Sequence, residues 1–311
     1  MDLIIVTFES VAVLLGIGIL GFSIIIRRIL PADALGFLTT LAIDIALPCL
    51  ILANILSSFR PEKMPGWWTL PLWWAFFTIL AGLLTFCFSL LSSIDTRREF
   101  AATLFYQNAI FFPLAVLTGM FGSQSPYIIS LFLFTLFHPS LFFSTNHLFF
   151  SRRGAPVEWK KVFNSILITT IIATMLALVG FQDFIPQFVI TTLSMVGAMT
   201  IPILMIILGG NIFVDFKNKG QLFPVEIVKF VAAKNLLFPL ITLGLLMLIR
   251  PPSHIALILL LQSSVPPITA MPIVVERAGG NRNIVNQFMF SSFVASLLSI
   301  PAMVYLFQRF Y

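Results

Sequence analysis

The polar residues with the clearest chemical potential lie inside two apolar segments that also contain prolines. The first segment reads QNAIFFP from Gln107 to Pro113, and the second reads LQSSVPPITAMP from Leu261 to Pro272. A proline has no backbone N–H and its ring collides with the preceding turn, so each segment predicts an interrupted helix. In a bilayer, the freed backbone groups survive only where protein or a wet cavity covers them. Each interruption, taken alone, is therefore either a structural kink or the wall of a binding site.

The composition predicts an all-α polytopic membrane protein around these segments. Hydrophobic residues make up 59% of the chain and charged residues 10%, whereas soluble proteins carry about 25% charge. We predict ten spans of roughly 20 residues, the length that crosses about 30 Å of hydrocarbon. They are about Leu3–Ile26, Leu35–Leu56, Trp67–Leu91, Phe100–Phe121, Ile128–Phe150, Val162–Gly180, Phe188–Phe213, Phe223–Ile249, Ile255–Val275 and Ile284–Phe307.

The basic residues predict the orientation of these spans. Most Lys and Arg residues, such as Arg27, Arg97 and Arg152, fall in loops on one side, which the positive-inside rule places in the cytoplasm. Ten spans then leave both termini outside the plasma (cytoplasmic) membrane. The net charge of +6 therefore reports topology in a lipid bilayer, and no nucleic-acid partner is expected.

An internal repeat is the next prediction. One constant shift of the chain places Pro113 on Pro267 and superimposes the spans of residues 1–151 on those of residues 152–311. Five spans is an odd number, so the two five-helix repeats must be inverted relative to one another. Inverted repeats with interrupted helices at matching positions are typical of secondary transporters with a midplane binding site.

The two interruptions together predict a site for an anion where spans four and nine cross. Helices restarting near Leu114 and Ile268 would present bare N–H groups and partial positive charge to a carboxylate. Asn108 has an alternative role, in which it satisfies backbone freed by Pro113 or joins two helices. The candidate substrate-binding residues are Gln107, Asn108, Pro113, Gln262, Ser263, Ser264, Pro266, Pro267 and Thr269.

Two charged residues inside predicted spans form a second candidate group, because intramembrane charges are costly and commonly functional. Asp44 is a candidate proton carrier. Lys234, next to Asn235, is a candidate counter-charge to an anionic substrate or to Asp44. The alternative is a structural ion pair where helices pack.

Other chemistries find little support in the sequence. Cys49 and Cys87 suggest neither a disulfide framework nor a metal site, and the three histidines have no partner at metal-ligand or triad spacing. We therefore expect no metal, no cofactor and no enzymatic activity. A membrane sensor or receptor is also less favoured, because no output domain or large loop is present.

Three stretches resemble the auxin efflux carrier family, within the bile/arsenite/riboflavin-type transporter superfamily. They are LAIDIALPCLILANI, QNAIFFPLAVLTGMFG and the region from Pro266 to Pro301. The resemblance implies ten spans in two inverted repeats, with spans four and nine crossing at Pro113 and Pro267 between a scaffold and a mobile transport domain. It also implies small organic anions as substrates, and Asn108 matches the family's Asn-x-x-x-x-Pro variant.

The chain departs from that family in two ways. Bulky residues stand between Asn108 and Pro113, where small ones are usual, so the size of the substrate stays open. The long cytoplasmic loop of plant auxin exporters is absent, so auxin itself is not implied.

We expect a carrier that moves a small organic anion by alternating access, in which the crossed spans move against spans one, two, six and seven. A sodium-coupled symporter of related fold is the alternative. Coupling to protons, or to no ion, is favoured over sodium because the crossing contains no acidic residue. The sequence leaves open the substrate, the direction of flux and the oligomeric state, including a homodimer.

Overall fold

A computed structural model describes residues 3–122, 125–150, 165–217 and 221–311. These parts of the chain are helical, with one isolated β-bridge and short connecting turns. The α-helices are, in chain order, α1 Leu3–Ile26, α2 Ala34–Thr40, α3 Leu47–Ser58, α4 Leu70–Ser89, α5 Arg97–Phe105, α6 Phe111–Phe121, α7 Pro126–Phe134, α8 His138–Thr145, α9 Ser165–Leu178, α10 Gln187–Gly197, α11 Thr200–Lys217, α12 Pro224–Val231, α13 Phe238–Ile249, α14 Ser253–Ser264, α15 Met271–Arg277 and α16 Arg282–Phe310. The π-helical turns Leu41–Ala46 and Ala232–Leu237 join α2 to α3 and α12 to α13.

The helices are those of a multi-pass membrane protein. Within the described ranges, six helical stretches are long and apolar enough to cross a bilayer: Ile5–Ile26, Ala34–Ser58, Trp67–Ser89, Gln187–Asn211, Pro224–Ile249 and Arg282–Phe310. Four shorter apolar stretches, Phe111–Phe121, Pro126–Phe142, Ser165–Leu178 and Ser253–Ser264, correspond to the other predicted spans. Large apolar side chains such as Ile79, Leu83 and Phe86 face outward on α4, as expected for a surface covered by lipid.

The predicted spans differ from the helices in one respect that matters for the site. Span five was predicted as one helix, but α7 ends at Phe134 and α8 begins at His138. Pro139 lies in the first turn of α8, where a proline loses no intrahelical hydrogen bond. Spans four, five and nine are therefore all interrupted.

The helices pack in two groups. The first contains α1–α3 and α9–α11, with α1 lying along α11. A Cβ atom at Gly209 would overlap the Gly18 carbonyl, and one at Gly21 would overlap the backbone of Ile206. Glycine is required at these positions because the two helix backbones touch.

The second group contains α4–α8 and α12–α16, and it holds the interrupted spans four, five and nine. The 29-residue helix α16 runs through it. Phe100, Phe230 and Phe288 pack ring against ring, with Phe230 and Phe288 stacked at 4.5 Å between centroids. Helix α16 also packs against α1 and so connects the two groups.

Candidate functional site

The gaps between α5 and α6 and between α14 and α15 meet as a short antiparallel bridge. The Asn108 N–H donates to the Pro266 carbonyl at 2.9 Å, and the Ile268 N–H donates to the Tyr106 carbonyl at 2.9 Å. The backbone N–H and carbonyl groups left free by each helix break thus hydrogen-bond to one another. They need such partners because a bilayer core contains no water to bond with them. The bridge brings Gln107 opposite Pro267. The prediction that span four crosses span nine at Pro113, opposite Pro267, is therefore wrong.

The restart points of the two half-helices also differ from the prediction. Helix α6 begins at Phe111 and α15 at Met271, instead of near Leu114 and Ile268. The reason is that Pro113 lies in the first turn of α6, where the missing N–H costs no helical hydrogen bond. The Phe112 N–H donates to Asn108 Oδ1 at 3.4 Å. Asn108 thus hydrogen-bonds to backbone near Pro113, which is part of the alternative role predicted for it.

Gln262 joins the two crossing segments through its side chain. Its Nε2 donates to the Ala109 carbonyl at 2.7 Å, and the residue is fully buried. Its Oε1 is buried without a partner in the described part of the chain. Such an orphan acceptor is costly unless water or a ligand pairs with it.

The side chains of the remaining candidate residues do not join the two crossing segments. The Ser263 and Ser264 hydroxyls donate to the Leu260 carbonyl of their own helix, at 2.6 and 2.8 Å. Thr269 lies in the turn before α15 and is partly exposed. Gln107 and Asn108 are only 3% and 2% exposed, so these two side chains are closed to solvent in this conformation.

The two predicted intramembrane charges do not form a pair. Lys234 is buried in the π-helical turn of the second helix group, with Nζ 5.0 Å from the centre of the Phe238 ring. Asp44 belongs to the first group, is exposed, and accepts a hydrogen bond from Ser165 Oγ at 3.2 Å. The interpretation of these two residues as an ion pair is therefore wrong, because they belong to different packed groups. Asn235 connects helices instead, through Nδ2 to the Ser292 carbonyl at 3.1 Å.

His138 was missed by the sequence analysis and lies directly beneath the crossing. It is buried, hydrogen-bonds to the backbone of Gln107, and is close enough to Lys234 to feel its charge. The imidazole Nε2 is buried without a partner among the described residues. A signal was present, since a histidine in the middle of an apolar span is a functional suspect.

Two cavities adjoin this region. A cavity of about 10 Å³ is lined by Thr78, Tyr106, Gln107, His138 and neighbouring apolar residues. A larger, mostly apolar cavity of about 460 Å³ lies between α4, α5 and α8. The Tyr106 and Thr145 hydroxyls hydrogen-bond to each other at 2.7 Å at the wall of this second cavity.

Metal binding has no structural support in the described ranges. No three His, Cys, Asp or Glu side chains of those residues are grouped closely enough to hold one ion. The groups that converge at the crossing are amides, hydroxyls, an imidazole and an ammonium. This set is suited to binding an anion through hydrogen bonds and positive charge.

Comparison with known proteins gave one family. The profile of a family described as "Membrane transport protein" matches the chain twice, over residues 6–158 and 149–304. Together these matches span nearly the whole chain. A search among curated proteins found no significant match.

Proposed function

We propose, because this chain belongs to the auxin efflux carrier family of membrane transport proteins, that it is a secondary transporter for a small organic anion. The observation that carries the proposal is the crossing of two interrupted segments, held by the Asn108–Pro266 and Ile268–Tyr106 hydrogen bonds. Interrupted helices near the bilayer midplane are the usual place for substrate in such carriers. A carboxylate is the proposed chemical group of the substrate.

The polar groups around the crossing support an anionic substrate. Asn108 uses Oδ1 to cap α6, which leaves its Nδ2 hydrogens as donors. Lys234 adds positive charge next to His138, where the low dielectric strengthens its effect. The segments 106–110 and 265–270 contain no acidic residue to repel a carboxylate or to bind sodium.

The transport cycle we propose is alternating access. The second helix group, which holds the crossing, moves against the first group, whose glycine contact between α1 and α11 gives it rigidity. In this proposal the chain makes ten spans in two inverted five-helix repeats, with both termini outside the plasma membrane. The closed crossing opens to one side at a time as the groups move.

The test is thermal stabilisation of the purified protein by a panel of carboxylates that includes benzoate and malate. A specific ligand at 100 times its dissociation constant stabilises the fold by about 2.7 kcal/mol. We expect at least one carboxylate to raise the melting temperature of the wild type and to lose that effect in Asn108→Ala. Ser263→Ala is the matched control, because its hydroxyl bonds only within α14.

Two outcomes would overturn the proposal. One is a panel in which no carboxylate raises the melting temperature. The other is a shift that Asn108→Ala retains in full. Replacing sodium by choline in the same assay separates the sodium-coupled alternative, which requires the shift to depend on sodium.

A further inference from the structure

We propose that His138 is a proton-binding residue of the crossing, and that each carboxylate bound there is accompanied by the uptake of one proton onto its imidazole. The burial of the imidazole makes this uptake depend on the anion, and the Lys234 ammonium adds to that dependence. The inference rests on the proposed function and identifies the ion coupled to it.

The backbone fixes His138 at the crossing. It is the first residue of α8, its N–H donates to the Thr135 carbonyl at 2.9 Å, and Pro139 follows it. The side chain then reaches the Gln107 backbone in a different span.

The hydrogen bonds define which nitrogen is free. Nε2 has no partner among the described residues, so Nδ1 is the atom that meets the Gln107 backbone. A carbonyl oxygen can only accept, so Nδ1 carries the hydrogen in the neutral imidazole. Nε2 then keeps its lone pair and is the atom that takes up a proton.

A small cavity adjoins the imidazole. His138 and Gln107 line this space of about 10 Å³, close to the volume that holds a single water molecule. Thr78 contributes to the same wall from α4. Nε2 itself is sealed from this space in the closed conformation, so proton transfer to Nε2 requires the crossing to open.

Burial and Lys234 together make the proton depend on the anion. Burial disfavours a charge on the imidazole, and the Lys234 ammonium beside it adds repulsion. The described residues place no carboxylate in an ion pair with either cation. The imidazole of the empty site is therefore neutral, and a carboxylate at the crossing compensates the charge that it gains with a proton.

The step is balanced. A carboxylate and one proton enter from the same side; the proton forms an N–H bond at Nε2 and leaves from Nε2 when the carboxylate dissociates on the other side. Because binding is reciprocal, the anion must strengthen proton binding by the same factor as the proton strengthens anion binding.

The first measurement needs no substrate. The chain has three histidines, and the spectrum of His138→Gln assigns the signals of His138 in ¹⁵N-histidine NMR of the purified protein. We expect the Nδ1–H tautomer with a bare Nε2 at neutral pH. An Nε2–H tautomer, or an imidazole fully protonated at neutral pH without an anion, overturns the inference.

The second measurement counts protons in weakly buffered solution as benzoate or malate binds. We expect the wild type to take up one proton per carboxylate bound. Its apparent affinity for the carboxylate should fall about tenfold per pH unit over the pH range in which that proton is taken up. In His138→Gln, which retains a donor for the Gln107 carbonyl, both effects are lost while binding persists. In Lys234→Met the proton count stays near one, because burial alone keeps His138 neutral in the empty site.

Failure of the inference and failure of the proposed function are distinguishable. Carboxylate binding without proton uptake, or with uptake that persists in His138→Gln, overturns the inference and leaves the transporter proposal standing. Absence of any carboxylate binding to a wild type with the expected tautomer overturns both the transporter proposal and the coupling.

Discussion

The α1–α11 contact and the crossing are two places where backbones from distant parts of the chain touch, and they achieve this closeness by different chemistry. In the first, unbroken helices approach because glycines such as Gly21 and Gly209 present no side chain. Every backbone group there stays within its own helix. In the second, two helices break and exchange backbone hydrogen bonds through Asn108 and Ile268.

The difference separates a contact that only packs helices together from one that leaves polar groups available for binding. The glycine contact is formed by closely approaching helix backbones, and we assign it a structural role. The crossing leaves buried polar atoms without partners nearby, including Gln262 Oε1 and His138 Nε2. Unpaired polar groups in a low dielectric are costly and mark a place where a ligand, proton or water binds.

The largest effect that we expect comes from adding one methyl group to the glycine contact. Gly21→Ala would drive Cβ into the Ile206 backbone, which cannot move without shifting α11, at a cost of about 3 kcal/mol or more. Gly16→Ala in the same helix meets open space and is expected to be neutral or stabilising, by up to about 1 kcal/mol. Thermal unfolding in detergent compares the two variants. Equal melting temperatures would contradict the close contact.

A smaller effect is expected at the crossing. Gln262→Ala removes the donor to the Ala109 carbonyl and leaves that oxygen buried and unpaired, at a cost of about 2 kcal/mol. Ser263→Ala, one residue away, loses only a hydrogen bond within its helix. Its free energy of unfolding should fall by less than about 0.5 kcal/mol. The same unfolding assay ranks the pair. A greater loss in Ser263→Ala would show that Gln262 does not hold the segments together.

The next largest effect on stability is expected at the hydrogen-bonded hydroxyls of Tyr106 and Thr145, beside the crossing. Tyr106→Phe keeps the edge-to-face ring contacts with Phe105 and Phe142 and removes only the 2.7 Å contact with Thr145. We expect a loss of about 1 kcal/mol. Thr145→Val should give a similar loss, and the double variant should lose little more than either single one. Additive losses would mean that the two hydroxyls do not interact.

The smallest effect is expected at Asp44. Its carboxylate is exposed and bonds only weakly to Ser165, so Asp44→Asn should change stability by less than about 0.5 kcal/mol. We also expect it to leave proton uptake on carboxylate binding unchanged. Loss of that uptake in Asp44→Asn would move the proton site from the second helix group to the first.

The sequence predicted the features that depend on local chemistry. Apolar composition and proline positions were enough to predict a helical membrane protein with interruptions in the segments that contain Pro113 and Pro266. The partners across space were harder, because a proline in the first turn of a helix, such as Pro113, does not mark where the break lies. His138 was missed for a related reason: its partner Gln107 is distant in sequence, and only the folded chain brings them together.

The most direct test of the crossing as the substrate site is protection of a single cysteine. In a background of Cys49→Ser and Cys87→Ser, Thr269→Cys places a thiol at the crossing and Gly36→Cys places a control thiol on an open surface. We expect benzoate or malate, whichever raises the melting temperature, to slow maleimide labelling at position 269 and to leave position 36 unchanged. Labelling at position 269 that is equally fast with and without the stabilising carboxylate would contradict the assignment of the crossing as the binding site.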